Sequence, residues 1–111
     1  KFYILAKSFN IKNKCRLAIK SSQLSAGRIL DYGCGRGDFL LSMKQKGWVI
    51  DGAEPDEKAA RTASLQCGIK IFSPDDVFSL PDSSFDVITL WHVLEHVHRL
   101  NETVAKLKSL L

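Results

Sequence analysis

The chain has 111 residues, of which 45% are hydrophobic and 25% charged, a composition typical of one ordinary globular domain. This length and balance exclude a second domain, a fibrous chain and a disordered chain. The net charge of +4 is uneven, because residues 1–30 carry seven Lys or Arg and no acid, whereas the remainder carries nine against twelve acids. Since the basic residues lie in one terminal segment and the rest is mildly acidic, we do not expect a nucleic-acid partner.

Apolar runs and cysteines narrow the class of protein further. No apolar run approaches the roughly 20 residues of a transmembrane helix, and none resembles a secretory signal. Cys15, Cys34 and Cys67 are widely spaced and form no C-x-x-C motif, so neither a disulfide framework nor a zinc knuckle is indicated. These features predict a cytoplasmic protein in a reducing compartment.

Residues 1–26 are predicted to form a basic amphipathic helical arm that precedes a domain over residues 27–111. The apolar positions at helical spacing are Ile11, Cys15, Ala18 and Ile19. A second stripe, of like charges four residues apart, consists of Lys12, Arg16 and Lys20. Because like charges at this spacing repel modestly, we consider a solvated face, a lid over a substrate, and attraction to anionic lipid or RNA. Residues 2–5 are apolar and favour a lid or an interface.

Strand and helix patterns alternate along the rest of the chain. Short apolar segments bounded by turn-forming residues predict four strands, Arg28–Tyr32, Trp48–Ala53, Ile69–Phe72 and Phe85–Trp91. The helices between and after them are predicted at residues 37–47 and 55–67, with one turn at 75–80 and one or two helices after Val93, the second capped by Asn101. This order predicts a three-layer, Rossmann-like α/β fold with a mostly parallel sheet of order 3-2-1-4. A ligand is then expected over the carboxyl ends of strands one and four.

The first strand ends in a loop with glycines at alternate positions, Asp31-Tyr-Gly33-Cys-Gly35-Arg-Gly37-Asp38. A dinucleotide loop needs G-x-G-x-x-G, and Asp38 stands where its last glycine belongs. A carboxylate at that helix N-terminus disfavours a pyrophosphate. Glu54, at the end of the second strand, is placed to accept hydrogen bonds from two ribose hydroxyls. The pattern fits a ligand with a ribose and a cationic amino-acid end but no phosphate, as in S-adenosylmethionine.

The chain resembles the first half of a class I S-adenosylmethionine-dependent methyltransferase, in the branch of small-molecule methyltransferases. The matching segments, in order, are residues 29–40, 52–56, 76–81 and 82–97. The resemblance implies S-adenosylmethionine as cofactor and an oxygen or carbon nucleophile on a small molecule as methyl acceptor. It also implies an incomplete domain, because this fold normally has seven strands. The fourth strand, Val87–Trp91, would then be an exposed apolar edge available for self-association.

The resemblance also implies roles for individual residues. Asp31 and the loop backbone at Gly33, Cys34, Gly35 and Gly37 would hold the methionine end of the cofactor. Glu54 would bind the ribose, Pro55 and Val77 would line the adenine, and Asp76 would face its amino group. Leu90, Trp91 and His92 would lie under the sulfonium, with His92 a candidate catalytic base.

Other interpretations remain open on the same residues. Cys34 is interpreted as a small space-filling residue without a redox role, and Trp91 as either a cover of the site or a core residue. His92, Glu95 and His96 form an H-x-x-E-H motif typical of a zinc hydrolase, although only Glu102 follows as an acidic third ligand, and no metal is expected. A non-catalytic module that binds S-adenosylmethionine or a partner protein is the other alternative.

Overall fold

The structure is a computed structural model that describes residues 2–6, 10–91 and 99–111. Its strands are β1 (Phe2–Ala6), β2 (Arg28–Tyr32), β3 (Val49–Ala53), β4 (Ile71–Phe72) and β5 (Val87–Trp91). Its helices are α1 (Ile11–Ser22), α2 (Asp38–Gln45), α3 (Glu57–Cys67), α4 (Pro74–Val77) and α5 (Leu100–Leu110). The strands form one parallel sheet in the order β1-β5-β2-β3-β4.

The predicted four-stranded core of the sheet is confirmed. The predicted strands one to four are β2, β3, β4 and β5, and their order β4-β3-β2-β5 is the expected 3-2-1-4. The chain reverses direction across the sheet at β2, which pairs with β3 on one side and β5 on the other. Asp31 on β2 therefore lies beside Gly52 of β3 and Thr89 of β5. This is the switch point at which α/β sheets open a crevice for ligands.

The first residues of the chain correct two expectations. Residues 2–6, predicted to contribute to a lid or an interface, form β1, which pairs in parallel with β5 from Phe2 beside Val87 to Ala6 beside Trp91. The prediction that Val87–Trp91 is an exposed edge is therefore wrong, because β1 covers its whole length. The apolar pattern of residues 2–5 was a strand signal too short to distinguish from part of an arm.

Two helix layers enclose the sheet. On one face, α1, α2 and α3 pack around a buried cluster that includes Ala18, Ile29, Leu40 and Trp91. On the other face, α5 and the segment after α4 pack around a second cluster that includes Leu30, Val77, Ile88 and Leu107. Because adjacent residues of a strand point to opposite faces, Ile29 and Leu30 enter different layers, and the buried strands are mainly apolar on both faces. The three-layer architecture is confirmed, and within it α1, which lies inside the predicted helical arm of residues 1–26, packs in the same layer as α2 and α3.

Local signals determine where the helices begin and end. The Asp56 side chain caps α3 by accepting from the backbone N–H of Ala59 at 2.9 Å, and Gly68 ends it with a left-handed φ of 68°. Asn101, predicted to cap a second helix, is the second residue of α5, whose N-cap is Arg99. No helix in the described part of the chain is long and apolar enough to cross a membrane.

Candidate functional site

The glycine loop crosses the carboxyl end of β2 in a conformation that favours glycine. Gly33, Gly35 and Gly37 have φ values of 85°, 58° and 92°, all in the left-handed region. The backbone N–H groups of Gly33 and Cys34 both donate to the carbonyl oxygen of Ala53, at 2.7 and 3.0 Å. The loop is therefore tied to the end of β3, which keeps the crevice edge in place.

Two of these glycines meet very different surroundings. A Cβ on Gly37 would lie 3.0 Å from Cys67 Sγ and 3.1 Å from Ala63, because the loop packs directly on α3. A Cβ on Gly35 would meet no atom within 4 Å. Gly37 thus permits close packing of the loop on a helix, whereas Gly35 presents its backbone to open space that a ligand can occupy.

Glu54 joins the glycine loop to the chain that follows β3. Its Oε1 accepts from the backbone N–H of Gly35 at 2.8 Å, and its Oε2 accepts from the backbone N–H of Asp56 at 3.0 Å. Each carboxylate oxygen retains acceptor capacity beyond the one N–H it receives. The side chain is half-buried, so these two bonds fix its direction while its remaining lone pairs can accept from hydroxyls of a ligand.

Asp31 is the buried acid of the site. Its side chain is 2% exposed, and its Oδ1 accepts from the Thr89 hydroxyl at 2.8 Å. Burial raises the pKa of Asp31 from 3.8 to about 7, which the Thr89 hydrogen bond and the positive charge of Lys14 oppose and the charge of Glu54 reinforces. A cationic ligand beside Asp31 would stabilise the ionised form of this carboxyl and lower its pKa again.

Lys14 brings a positive charge into this region from α1. Its Nζ lies 5.2 Å from the centre of the Trp91 ring, and Trp91 packs edge-to-face on Phe39 with centroids 5.4 Å apart. Lys14 was not singled out from the sequence, since it looked like one more cation of a basic arm. The sequence did contain one relevant signal. Lys14 precedes Ala18 of the apolar stripe by four residues, and residues four apart on a helix lie on the same face.

An open cleft of about 490 Å³ lies beside Glu54 at the carboxyl ends of β3 and β4. The sequence-predicted residues that line it are Glu54, Pro55 and Asp76. The other lining residues are Glu57, Ala60, Arg61, Ser64, Lys70, Ile71 and Ser73. Asp76 also forms a capping box, in which its Oδ2 accepts from the backbone N–H of Ser73 at 3.2 Å. Pro55 and Ile71 give this cleft apolar surfaces.

The structure separates other predicted residues from this cleft. Val77 is 1% exposed and Leu90 is 2% exposed, and both belong to the cluster beneath α5. Trp91, 6% exposed, belongs to the cluster on the opposite face. Trp91 is thus a core residue that also supports Lys14. His92, the candidate base, and Glu95 and His96 of the zinc alternative lie outside the described residues.

Cys34 shows the properties of a space-filling residue. It is 8% exposed, and a Cβ on Gly52 would approach its Sγ to 3.0 Å. Burial, with added repulsion from the Asp31 and Glu54 charges, raises the pKa of the Cys34 thiol to about 12. The nucleophilic thiolate is therefore scarce at neutral pH.

The donor set at this crevice fits the cofactor implied by the sequence. S-Adenosylmethionine carries an ammonium, a carboxylate, two ribose hydroxyls and a flat adenine, and it has no phosphate. Asp31 and Glu54 supply acceptors for the ammonium and the hydroxyls, and Lys14 supplies a cation near Asp31. Gly35 leaves room for close backbone approach. Asp38 at the start of α2 accepts from Gln66 Nε2 at 3.0 Å, so a carboxylate occupies the helix end that a pyrophosphate would use.

Comparison with known proteins gives a family match over nearly the whole chain. A family model described as a methyltransferase domain matches residues 7–111. A curated ubiquinone biosynthesis O-methyltransferase of Xanthomonas euvesicatoria is 33% identical over 114 residues, covering 95% of this chain and 48% of that protein. One of the same name from Saccharophagus degradans is 27% identical, covering 81% of this chain and 41% of that protein. The chain thus spans about half the length, or less, of these relatives.

Solved structures share the fold over a similar span. An S-adenosylmethionine-dependent methyltransferase from Archaeoglobus fulgidus has a TM-score of 0.72 and 26% identity, covering 92% of this chain and 48% of that one. Magnesium protoporphyrin IX methyltransferase from Synechocystis, solved with bound S-adenosylmethionine, has a TM-score of 0.65 and 20% identity, covering 90% of this chain and 50% of that one. At 20% identity, the likeness to the Synechocystis enzyme shows a shared fold and no more.

Proposed function

The chain belongs to the class I methyltransferase-domain family, whose cofactor is S-adenosylmethionine, and we propose that it binds this cofactor across β2 and β3 for methyl transfer to a small molecule. The methionine end then lies by Asp31 and the glycine loop, and the adenosine end lies in the cleft beside Glu54. The observation that carries this proposal is the Gly35–Glu54 hydrogen bond of 2.8 Å, which unites the loop and the acid in one rigid unit.

Different residues of the chain would then bind different parts of the cofactor. The Asp31 carboxylate would accept from the cofactor ammonium, and the positive charge of Lys14 would attract the cofactor carboxylate. Glu54, already oriented by two backbone N–H groups, accepts from the ribose hydroxyls. Pro55 and Ile71 give the adenine apolar surfaces, and the backbone at Gly33, Cys34 and Gly35 contacts the methionine end. When bound, the cofactor supplies an electrophilic methyl group on its sulfonium.

Catalysis in this arrangement rests mainly on alignment. A cofactor held at both ends presents its methyl group in one direction, and an acceptor held beside it reacts without a further loss of orientational freedom. Thr89, Leu90 and Trp91 are buried at the end of β5, and Thr89 lies beside Asp31, so the strand that adjoins the acid is held by the core. An acceptor that must lose a proton needs a general base, for which His92 remains the candidate.

An oxygen or carbon nucleophile on a small molecule is the proposed acceptor. Support for oxygen comes from the curated relatives, whose names describe O-methyltransferases of ubiquinone biosynthesis. Incubation of the chain with S-adenosylmethionine and separate panels of phenols, carbon acids and amines, followed by mass spectrometry, tests the class. Methylation of amines alone would contradict the assignment.

Calorimetric titration with S-adenosylhomocysteine tests cofactor binding directly. We expect saturable binding, which Glu54→Gln weakens about tenfold or more, because a charged acceptor to two hydroxyls is lost. Asp82→Asn is the matched control, since Asp82 is an exposed acid distant in sequence from the loop. Equal binding by both variants would overturn the assignment of Glu54, and absence of binding by the folded chain would overturn the proposed site.

A further inference from the structure

Helix α1 has an outer surface that the cofactor site does not use. Lys12, Arg16 and Lys20 are all exposed, whereas Cys15 and Ala18 on the opposite side are buried. The helix contains no acidic residue. Among residues 10–91 and 99–111, the ion pairs that the structure shows involve none of these three cations. We call Lys12, Arg16, Lys20 and the nearby Lys46 the cationic face.

Lys46 extends this face beyond α1. It follows the end of α2 and is exposed, and its positive charge partly offsets the rise that burial causes in the pKa of Cys15. Since α1 and α2 pack side by side in one layer, Lys46 adds an exposed positive charge to those of the neighbouring α1. The repulsion among them lowers stability slightly, and an anionic partner would relieve it.

Exposed apolar side chains adjoin the end of this face. Leu24, two residues beyond α1, is 38% exposed, and Val49 at the start of β3 is 61% exposed. Both adjoin Gly27, whose carbonyl oxygen accepts from Val49 N–H at 2.9 Å and whose Cβ position lies 3.2 Å from Leu24. Two acids near Gly27 and Arg28 are already bonded, because Asp51 accepts from the Arg28 side chain and Asp86 accepts from the Arg28 backbone N–H.

We propose that the cationic face docks on the surface of an anionic lipid bilayer, with Leu24 and Val49 at the headgroup boundary. A row of cations on a helix is attracted to an anionic bilayer, and each Lys or Arg near the surface adds to the attraction. Because the apolar side of α1 is occupied by the protein core, the helix adsorbs and does not insert.

A lipid surface fits these residues better than single-stranded nucleic acid does. Proteins that bind single strands stack bases on exposed aromatic rings between their cations. The large exposed apolar side chains of residues 10–91 and 99–111 are Leu24, Val49, Leu65 and Leu100, none of which is aromatic. Charge with aliphatic side chains and without exposed rings favours headgroups over bases.

Vesicle sedimentation with the full chain tests this proposal. One set of vesicles contains phosphatidylcholine alone, and the other contains equal parts of phosphatidylcholine and phosphatidylglycerol. We expect binding to the anionic vesicles only, with a loss of binding as salt is added. Arg16→Gln/Lys20→Gln should weaken that binding about tenfold or more, since two charges near the surface are removed.

Lys58→Gln/Lys108→Gln is the matched control, because it removes two exposed cations from α3 and α5 and leaves the cationic face intact. Circular dichroism verifies that both double variants are folded. Control-like binding by the α1 variant, equal binding to neutral vesicles, or no vesicle binding by the parent chain would each overturn the proposal. So would α1-dependent binding of a single-stranded RNA oligomer in place of the vesicles. Because no cofactor is present in these assays, their outcome is independent of the proposed methyl transfer.

Discussion

The backbone N–H of Gly35 donates a 2.8 Å hydrogen bond to Oε1 of Glu54, a residue nineteen positions further along the chain. The bond connects the loop after β2 to the end of β3, so the conformation of the glycine loop and the orientation of the acid depend on each other. A second bond from Asp56 N–H prevents the carboxylate from rotating away. Preorganisation of this kind lowers the entropy that a ligand would otherwise lose on binding.

Alanine substitutions at Gly35 and Gly37 should have different consequences. For Gly35→Ala, we expect a loss of only about 1 kcal/mol in the free energy of unfolding, because the cost is limited to a left-handed φ with open space around the Cβ. For Gly37→Ala, we expect about 3 kcal/mol, since the added Cβ also meets Cys67 and Ala63 at 3.0 to 3.1 Å. Urea denaturation of both variants measures the difference.

Cofactor titration distinguishes the role of Gly35 from a purely structural one. Folded Gly35→Ala should bind S-adenosylhomocysteine at least tenfold more weakly, because the methyl group occupies ligand space. Unchanged affinity, or equal destabilisation by the two substitutions, would show that the open space at Gly35 is not part of the cofactor site.

Asp31→Asn should increase stability at alkaline pH. A carboxyl whose pKa rises from 3.8 to about 7 on folding binds its proton more tightly in the folded state, so the free energy of unfolding falls as pH rises between those values. Asn has no ionisable carboxyl, so its burial does not reduce the free energy of unfolding as pH rises. At pH 8 we expect the variant to be more stable by about 4 kcal/mol, with no difference well below pH 3.8, as measured by urea denaturation across pH.

The same variant should lose cofactor affinity, since a neutral amide cannot balance the ammonium. For the parent chain, affinity for S-adenosylhomocysteine should increase as pH rises toward 7 and then level off, because the ammonium favours the ionised carboxylate. A pH-independent loss of stability in Asp31→Asn would mean that the carboxyl is already ionised in the acidic range.

Lys14→Gln should raise the pKa of Asp31 further above its ordinary value. The positive charge of Lys14 lowers this pKa, and its removal leaves the effect of burial less opposed. The carboxyl carbon of Asp31, followed by NMR against pH, should titrate at higher pH in the variant. Lys12→Gln is the control, because Lys12 is exposed on the same helix and should leave the midpoint unchanged. Identical midpoints in both variants would show that the charge of Lys14 does not affect Asp31.

Deletion of residues 1–6 should cause self-association. Without β1, the backbone of Val87–Trp91 loses its parallel partner and presents an unpaired apolar edge. Light scattering after gel filtration should show dimers or larger species that the parent chain does not form at the same concentration. Deletion of Lys1 alone is the control. A monomeric truncated chain with unchanged thermal stability would indicate that β1 adds little to the sheet.

Most of the sheet could be predicted from the sequence. Short apolar segments between Gly, Pro, Asp and Ser located β2 to β5, since buried parallel strands are apolar on both faces. Asp56 and Gly68 marked the ends of α3 because caps depend on neighbouring residues alone. The strand at residues 2–6 was not predicted, because its five residues carry no local signal beyond their apolar character.

The sequence by itself determined the order of β2 to β5 and the position of the glycine loop, and it predicted Asp31 and Glu54 as site residues, because these inferences depend on residue type and spacing along the chain. Only the tertiary structure decided which groups meet across the chain: Gly35 with Glu54, Asp31 with Thr89 and Lys14, and β1 with β5. It also decided that Val77 and Leu90 are enclosed in the core. Such contacts depend on the relative placement of elements distant in sequence, and no local propensity encodes it.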